Sequence, residues 1–194
     1  MNDQMIVDLL KKTGVIMEGH FLLTSGRHSS MFLQCSQLLQ FPEYTEALCR
    51  LMAEPFKDKA VEAVIGPAMG GVILAYETAR TLGVRALYAE PAADKMILRR
   101  GFEIEAQEKL LVVEDAVTTG GSVQKVIDLI KSCEAEVIGV ALLVDRSAGN
   151  LNFGVPTKAL LKMQIESFEP ETCPLCRDGL PLKEPKGQPK SPKS

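Results

Sequence analysis

A parallel, twisted α/β sheet flanked by helices is the fold class the sequence predicts, and three observations predict it. Short, nearly all-apolar runs recur along the chain: VEAVIGP (61–67), RALYAE (85–90), KLLVVED (109–115) and VIGVALLVDR (137–146). Amphipathic stretches with helical spacing lie between them, GVILAYETARTLG (71–83) and SVQKVIDLIKSC (122–133). Strands without polar alternation are buried on both faces, as in a parallel sheet covered by helices. Finally, 194 residues with 46% hydrophobic and 24% charged content suit one ordinary globular domain.

The elements follow in order. Met5, Ile6, Leu9 and Leu10 share one helical face, so the chain opens with a short helix. FLLTSGRHSSMFLQC (21–35) reads as strand, tight turn and strand, with Gly26 in the turn. FPEYTEALCRLMAEPF reads as a helix with Pro42 in its first turn, a buried stripe of Tyr44, Leu48, Leu51 and Met52, and Pro55 at its end. The helix over 71–83 stops at Gly83, a natural C-terminal cap. EPAADKMILRRGFEIEAQE (90–108) is too polar for the core and reads as a basic β-ribbon or mobile loop. These elements divide into a small hood, formed by residues 1–40 with parts of 150–180, and a core over 41–150. LPLKEPKGQPKSPKS is rich in Pro, Lys, Gly and Ser, so 181–194 is expected to be a disordered tail.

Composition narrows the function. A net charge of -3 argues against a general nucleic-acid binder. No apolar run reaches the roughly 18 residues of a membrane span, and MNDQMIVDLLKK lacks the apolar core of a signal peptide. Five scattered cysteines suggest reduced thiols in a cytoplasm.

The stretch LLVVEDAVTTGGS carries the chemistry. An apolar strand leads into Glu114 and Asp115, then Ala116, Val117, Thr118, Thr119, Gly120, Gly121 and Ser122, and then a helix. Backbone amides at that helix start, glycines without Cβ and three hydroxyls make a cradle for a phosphate monoester. The loop lacks the Gly-Lys-Ser/Thr of a P-loop and the Gly-x-Gly-x-x-Gly of a dinucleotide site. Carboxylates accept hydrogen bonds and donate none, so Glu114 and Asp115 suit a ribose diol. A 5-phosphorylated ribose satisfies both halves. GPAMGG (66–71) is a second strand-to-helix turn, whose Ala68, Met69, Gly70 and Gly71 can receive pyrophosphate.

VVEDAVTTGGS is very similar to the phosphoribosyl-pyrophosphate motif of type I phosphoribosyltransferases. With FLLTSGRHSSMFLQC, VIGPAMGGVILAYETAR, KMILRRGFE, ALLVDRSAG and the late CPLC, residues 1–182 resemble the orotate-using members in their longer bacterial form. The resemblance implies transfer of phosphoribose from 5-phospho-α-D-ribose 1-diphosphate (PRPP) to orotate, with Mg²⁺ held through PRPP and water and not by direct protein ligands. It implies that Lys95, Arg99 and Arg100 form a loop that closes over pyrophosphate and reaches from one subunit of a homodimer into the other's site. It assigns orotate to Arg146, Thr118, Ser25 and Gly26. Some relatives carry lysine where Gly70 stands, many carry it where Thr24 stands, and relatives of this form usually show Arg where Pro91 stands. Two alternatives compete: a purine phosphoribosyltransferase, which Arg146 argues against because a purine has no carboxylate, and a phosphoribosyltransferase-like regulatory binding protein. CPLC (173–176) has the spacing of half a zinc site. One pair supplies two ligands, and His20 and His28 form no obvious second pair in the sequence, so two reduced cysteines are the plainer expectation.

Overall fold

The structure, a computed structural model, describes residues 1–185. A hairpin of β1 (Ile16–Leu22) and β2 (His28–Leu33) forms a separate two-stranded sheet after α1 (Asp3–Lys12). A 3-10 turn over Cys35–Gln40 leads to α2 (Pro42–Ala53). The main sheet contains β3 (Ala63–Pro67), β4 (Arg85–Ala92), β5 (Lys95–Ile97), β6 (Lys109–Val117), β7 (Glu136–Asp145) and β8 (Thr157–Lys162), with α3 (Gly70–Leu82) and α4 (Gly121–Ser132) between strands. Its order is β5-β4-β3-β6-β7-β8, and every pairing is parallel except the β4–β5 edge.

Alternation along β6 explains the three layers. Leu111 and Val113 join α2 and α3 in one core, where Leu48, Met52, Leu74 and Ala75 are buried. Leu110 and Val112 face the other way, onto Val123, Val126, Ile127 and Ile130 of α4. A strand with period-two side chains and cover on both sides has to be apolar throughout.

Topology fixes where a ligand can sit. From β3 the chain winds outward to β4 and β5, then returns to the other side of β3 as β6 and winds away through β7 and β8. The loops after β3 and β6 therefore part company, and the crevice between them is the topological switch point at which open α/β sheets bind ligands.

Three boundaries differ from the sequence reading. β6 runs through Val117, so the acid pair lies inside the strand and not at its last two positions. β8, which the sequence reading lacks, extends the core sheet to Lys162, beyond the expected boundary at 150. Its sequence TKALLK is short and carries two lysines, as an edge strand tolerates. The first residues of the expected tail over 181–194 include one that is held in place. Lys183 N–H donates to His20 O (2.8 Å) and Leu22 N–H donates to Lys183 O (3.0 Å), which fixes this residue against β1. Residues 186–194 lie outside the described residues.

Leu111 is fully buried at the centre of the sheet. Leu111→Ala should lower unfolding free energy by about 2–5 kcal/mol, read from urea denaturation, because the surrounding layers cannot close the cavity.

Candidate functional site

β6 carries Glu114 and Asp115 to the carboxyl edge of the sheet. Each carboxylate folds back on the next peptide: Asp115 N–H donates to Glu114 Oε1 (3.1 Å) and Ala116 N–H donates to Asp115 Oδ1 (2.6 Å). Successive strand residues start on opposite faces, yet these two carboxyls are near enough for each to affect the other's protonation. Burial pushes the Glu114 carboxyl up to about 8, and the Asp115 charge adds to this. Burial also raises Asp115 above the usual carboxylate range. The pair thus holds a proton near neutral pH, and hydrogen-bond donors from a ligand would favour its release.

The two strand-to-helix turns meet at Asp115. A Cβ on Gly70 would lie 2.5 Å from Asp115 Oδ2, so the first residue of α3 must be bare for the carboxylate to stay where it is. Residues 114 and 116–123 with Lys125 line a cleft of about 380 Å³. Thr118, Thr119, Gly121 and Ser122 are exposed in it. Gly120 takes φ 83° at the N-cap of α4, and a Cβ there would also fall 2.8 Å from the Phe153 ring. Left-handed backbone and close packing both call for glycine. A larger cleft of about 490 Å³, around Glu62, Arg85 and residues 105–108, sits at the amino ends of the strands, the wrong edge for a ligand in this fold.

Arg146 follows β7, and its N–H donates to Val117 O (2.8 Å), tying it to the shoulder of the phosphate loop. Its Nε is buried with no acceptor among the described residues. Burial lowers the guanidinium below its ordinary value. Asp145 shapes the same corner, since Ser147 N–H and Oγ–H both donate to its Oδ1, at 2.8 and 2.6 Å.

The basic ribbon divides. Arg100 Nε donates to Glu90 Oε1 (2.9 Å), and Arg99 lies 3.7 Å from the same carboxylate. Arg100 shares a cleft of about 480 Å³ with Ala68, Met69, Val72, Tyr88 and Pro91, which puts it beside the 68–71 turn. Lys95 is exposed on β5, opposite Ala92, and lines neither cleft. Ser25 and Gly26 are exposed in the hairpin turn, where Gly26 N–H donates to Leu23 O (2.9 Å). Arg27 is half-buried, with Nε–H donating to Ser167 Oγ (2.8 Å) and an ion pair to Glu169.

Four contributors escape the sequence reading. Cys35 lies close enough to Asp115, Arg146 and Glu114 to feel all three, and burial, followed by the Asp115 charge, pushes its thiol well up. Phe153 braces Gly120, and Lys125 joins the phosphate cleft. Basic residues such as Lys125 give no distinctive signal, though Lys125 falls just one helical turn past the motif. The fourth is a cluster outside these clefts: His20, His28, Cys173 and Cys176 present ligand atoms within 4.8 Å of one another. The fold thus supplies the second pair for CPLC that the linear sequence hides.

Comparison with known proteins agrees with this geometry. Residues 34–169 match the phosphoribosyl transferase domain family. A protein of Desulforamulus reducens named orotate phosphoribosyltransferase is 52% identical over 95% of this chain and 97% of its own. One of the same name from Thermotoga maritima is 51% identical over 93% and 97%. The crystal structure of orotate phosphoribosyltransferase from Aeropyrum pernix superposes with TM-score 0.70 at 28% identity, covering 81% of this chain and 93% of that one. Adenine phosphoribosyltransferase from Rhodothermus marinus, at 19% identity and TM-score 0.62 over 82% of this chain and 99% of its own, shares the fold alone.

The pH dependence of stability tests the acid pair. Because the folded chain holds the Glu114 proton above the ordinary 4.5, that contribution to stability is present below 4.5 and is lost as pH rises toward about 8. Across that window wild type should lose stability relative to Glu114→Gln, whose amide cannot ionise, and parallel urea midpoints for the two would contradict the assignment.

Proposed function

The chain belongs to the phosphoribosyl transferase family and works as an orotate phosphoribosyltransferase of pyrimidine nucleotide synthesis, and from that premise we propose how its residues divide the work. Orotate and PRPP give orotidine 5′-monophosphate and diphosphate. The base nitrogen bonds to the anomeric carbon as the carbon–oxygen bond to diphosphate breaks, and the electron pair leaves with diphosphate. The reacting carbon gains cationic character, so the protein's task is to position both partners and stabilise the leaving charge.

In this reading residues 118–122 hold the 5-phosphate on amides and hydroxyls, while Glu114 and Asp115, with Ala116 and Val117 behind them, accept from the ribose hydroxyls. Ala68, Met69, Gly70 and Gly71 receive diphosphate beside Asp115. Arg100, already next to that turn, exchanges Glu90 for diphosphate, and Lys95 and Arg99 follow when the ribbon closes. Ser25 and Gly26 border the base, with Thr118 across from them. Mg²⁺ fits as an ion carried by PRPP: the carboxylate oxygens of Glu114 and Asp115 would accept from its water shell, and it would neutralise leaving-group charge.

Arg146 is the observation that carries the choice of base. A buried guanidinium N–H with no acceptor is costly, and a carboxylate on the ligand would satisfy it. Orotate has that carboxylate, and adenine and hypoxanthine do not.

A homodimer is part of the proposal. Met69, Ile73 and Tyr76 fall on one face of α3 and are 84%, 44% and 65% exposed, an apolar stripe beside the diphosphate turn. Such a stripe favours burial against a second copy, and a copy seated there would bring its own ribbon toward this cleft. A cytoplasmic location is supported by five unpaired cysteines.

Initial rates with orotate, adenine and hypoxanthine, with Mg²⁺ and with chelator, test the proposal. Orotate alone should turn over, and only with Mg²⁺. Arg146→Gln should lower kcat/KM for orotate by roughly 10- to 150-fold, the worth of a charged hydrogen bond. An unchanged value would remove Arg146 from the base site. Ile73→Asp should halve the mass measured by light scattering, and an unaltered mass would place any dimer contact elsewhere.

A further inference from the structure

We propose that His20, His28, Cys173 and Cys176 form a closed zinc site that staples the C-terminal segment to the β1–β2 hairpin. It stands apart from the transfer chemistry and does not rest on the roles proposed above.

The spacing of the ligand atoms is the first support. His20 Nε2 lies 3.0 Å from His28 Nδ1 and 3.6 Å from Cys173 Sγ. Cys176 Sγ lies 3.7 Å from His20 Nε2 and 3.3 Å from His28 Nδ1. Bond lengths to tetrahedral zinc imply edges of about 3.3 Å between nitrogens and about 3.6 Å between nitrogen and sulfur. These four edges fall within a few tenths of an ångström of those figures, and all four ligand atoms lie within 4.8 Å of one another.

Orientation is the second support. His20 Nδ1 lies 2.8 Å from Leu180 O, a carbonyl that can only accept. The Nδ1 atom therefore carries the proton, and Nε2 presents its lone pair to the cluster. Metal-bound histidines are commonly aimed in this way by a backbone carbonyl on the far nitrogen.

The main chain holds the ligands in place. His28 and Phe168 exchange backbone hydrogen bonds of 2.9 and 2.8 Å, and Ser29 Oγ–H donates to Glu166 O (2.7 Å). Lys183 brackets His20 in the same manner. Cys173 is the N-cap of α5 (Pro174–Arg177) and Cys176 lies within it, a Cys-x-x-Cys spacing common in zinc sites. His20, His28 and Cys173 are buried, and Cys176 closes the outer side.

Two imidazoles and two thiolates select zinc over magnesium, which prefers oxygen ligands. Four protein ligands leave no position for water or substrate, so the ion would be structural.

Native mass spectrometry of the full chain, purified without chelators, tests the site. The expected mass shows about one zinc per chain with two thiol protons lost. Cobalt(II) loading should give the intense visible bands of a tetrahedral thiolate site. Cys176→Ser should abolish both signals, and Cys133→Ser, at a cysteine outside the cluster, should keep them. Metal-stripped protein should melt at a lower temperature, restored by zinc and not by magnesium. A chain that carries no zinc as purified and gives no cobalt bands, or one two hydrogens lighter with Cys173 and Cys176 joined, would overturn the proposal. So would metal retained at full stoichiometry by a folded Cys176→Ser/His28→Gln double variant.

Discussion

Two carboxylates stand in the very strand that feeds an anion-binding loop, and the rest of the site is arranged around that conflict. β6 lies between β3 and β7, with helices on both faces, so Glu114 and Asp115 emerge from a dry interior. Their charge is poorly solvated, and the pair keeps a proton that water alone does not remove at neutral pH. In the proposed complex a sugar diol would relieve this by donating into both groups, with the phosphate one sugar-length away on amides and hydroxyls. Gly70 is bare because Asp115 occupies the space a side chain would need, and Gly120 is bare because Phe153 does.

The phosphate cradle was legible because it is contiguous. Nine successive residues carry the strand end, the acids, the hydroxyls and the glycines, and local geometry does the rest. The layered core was legible for a similar reason, since uninterrupted apolar runs and helical periodicity are local signals. β8 was not, because an edge strand of six residues needs no apolar run and owes its place to pairing with β7. Cys35 and Phe153 were hidden because they reach the cleft from neighbouring elements. The histidine–cysteine cluster was furthest from view: Cys173 stands 153 positions from His20, and only the folded hairpin brings them together.

The two sides of the cleft have different origins. The sugar-phosphate side is built from strand ends within one continuous sheet, whose geometry the core fixes. The proposed base side combines Arg146, rooted beside Val117, with a hairpin that belongs to a separate small sheet. Two strands alone make a marginal structure in water. Here Arg27, His28 and Ser29 are each bonded to residues 166–169, which lends the hairpin a support it lacks on its own.

That support comes from the far end of the polypeptide. Lys183 pairs with His20 and Leu22, so β1 is braced by a segment distant from it in sequence. Whatever loosens residues 166–183 therefore loosens the hairpin, while the main sheet, closed by its own two cores, keeps its arrangement.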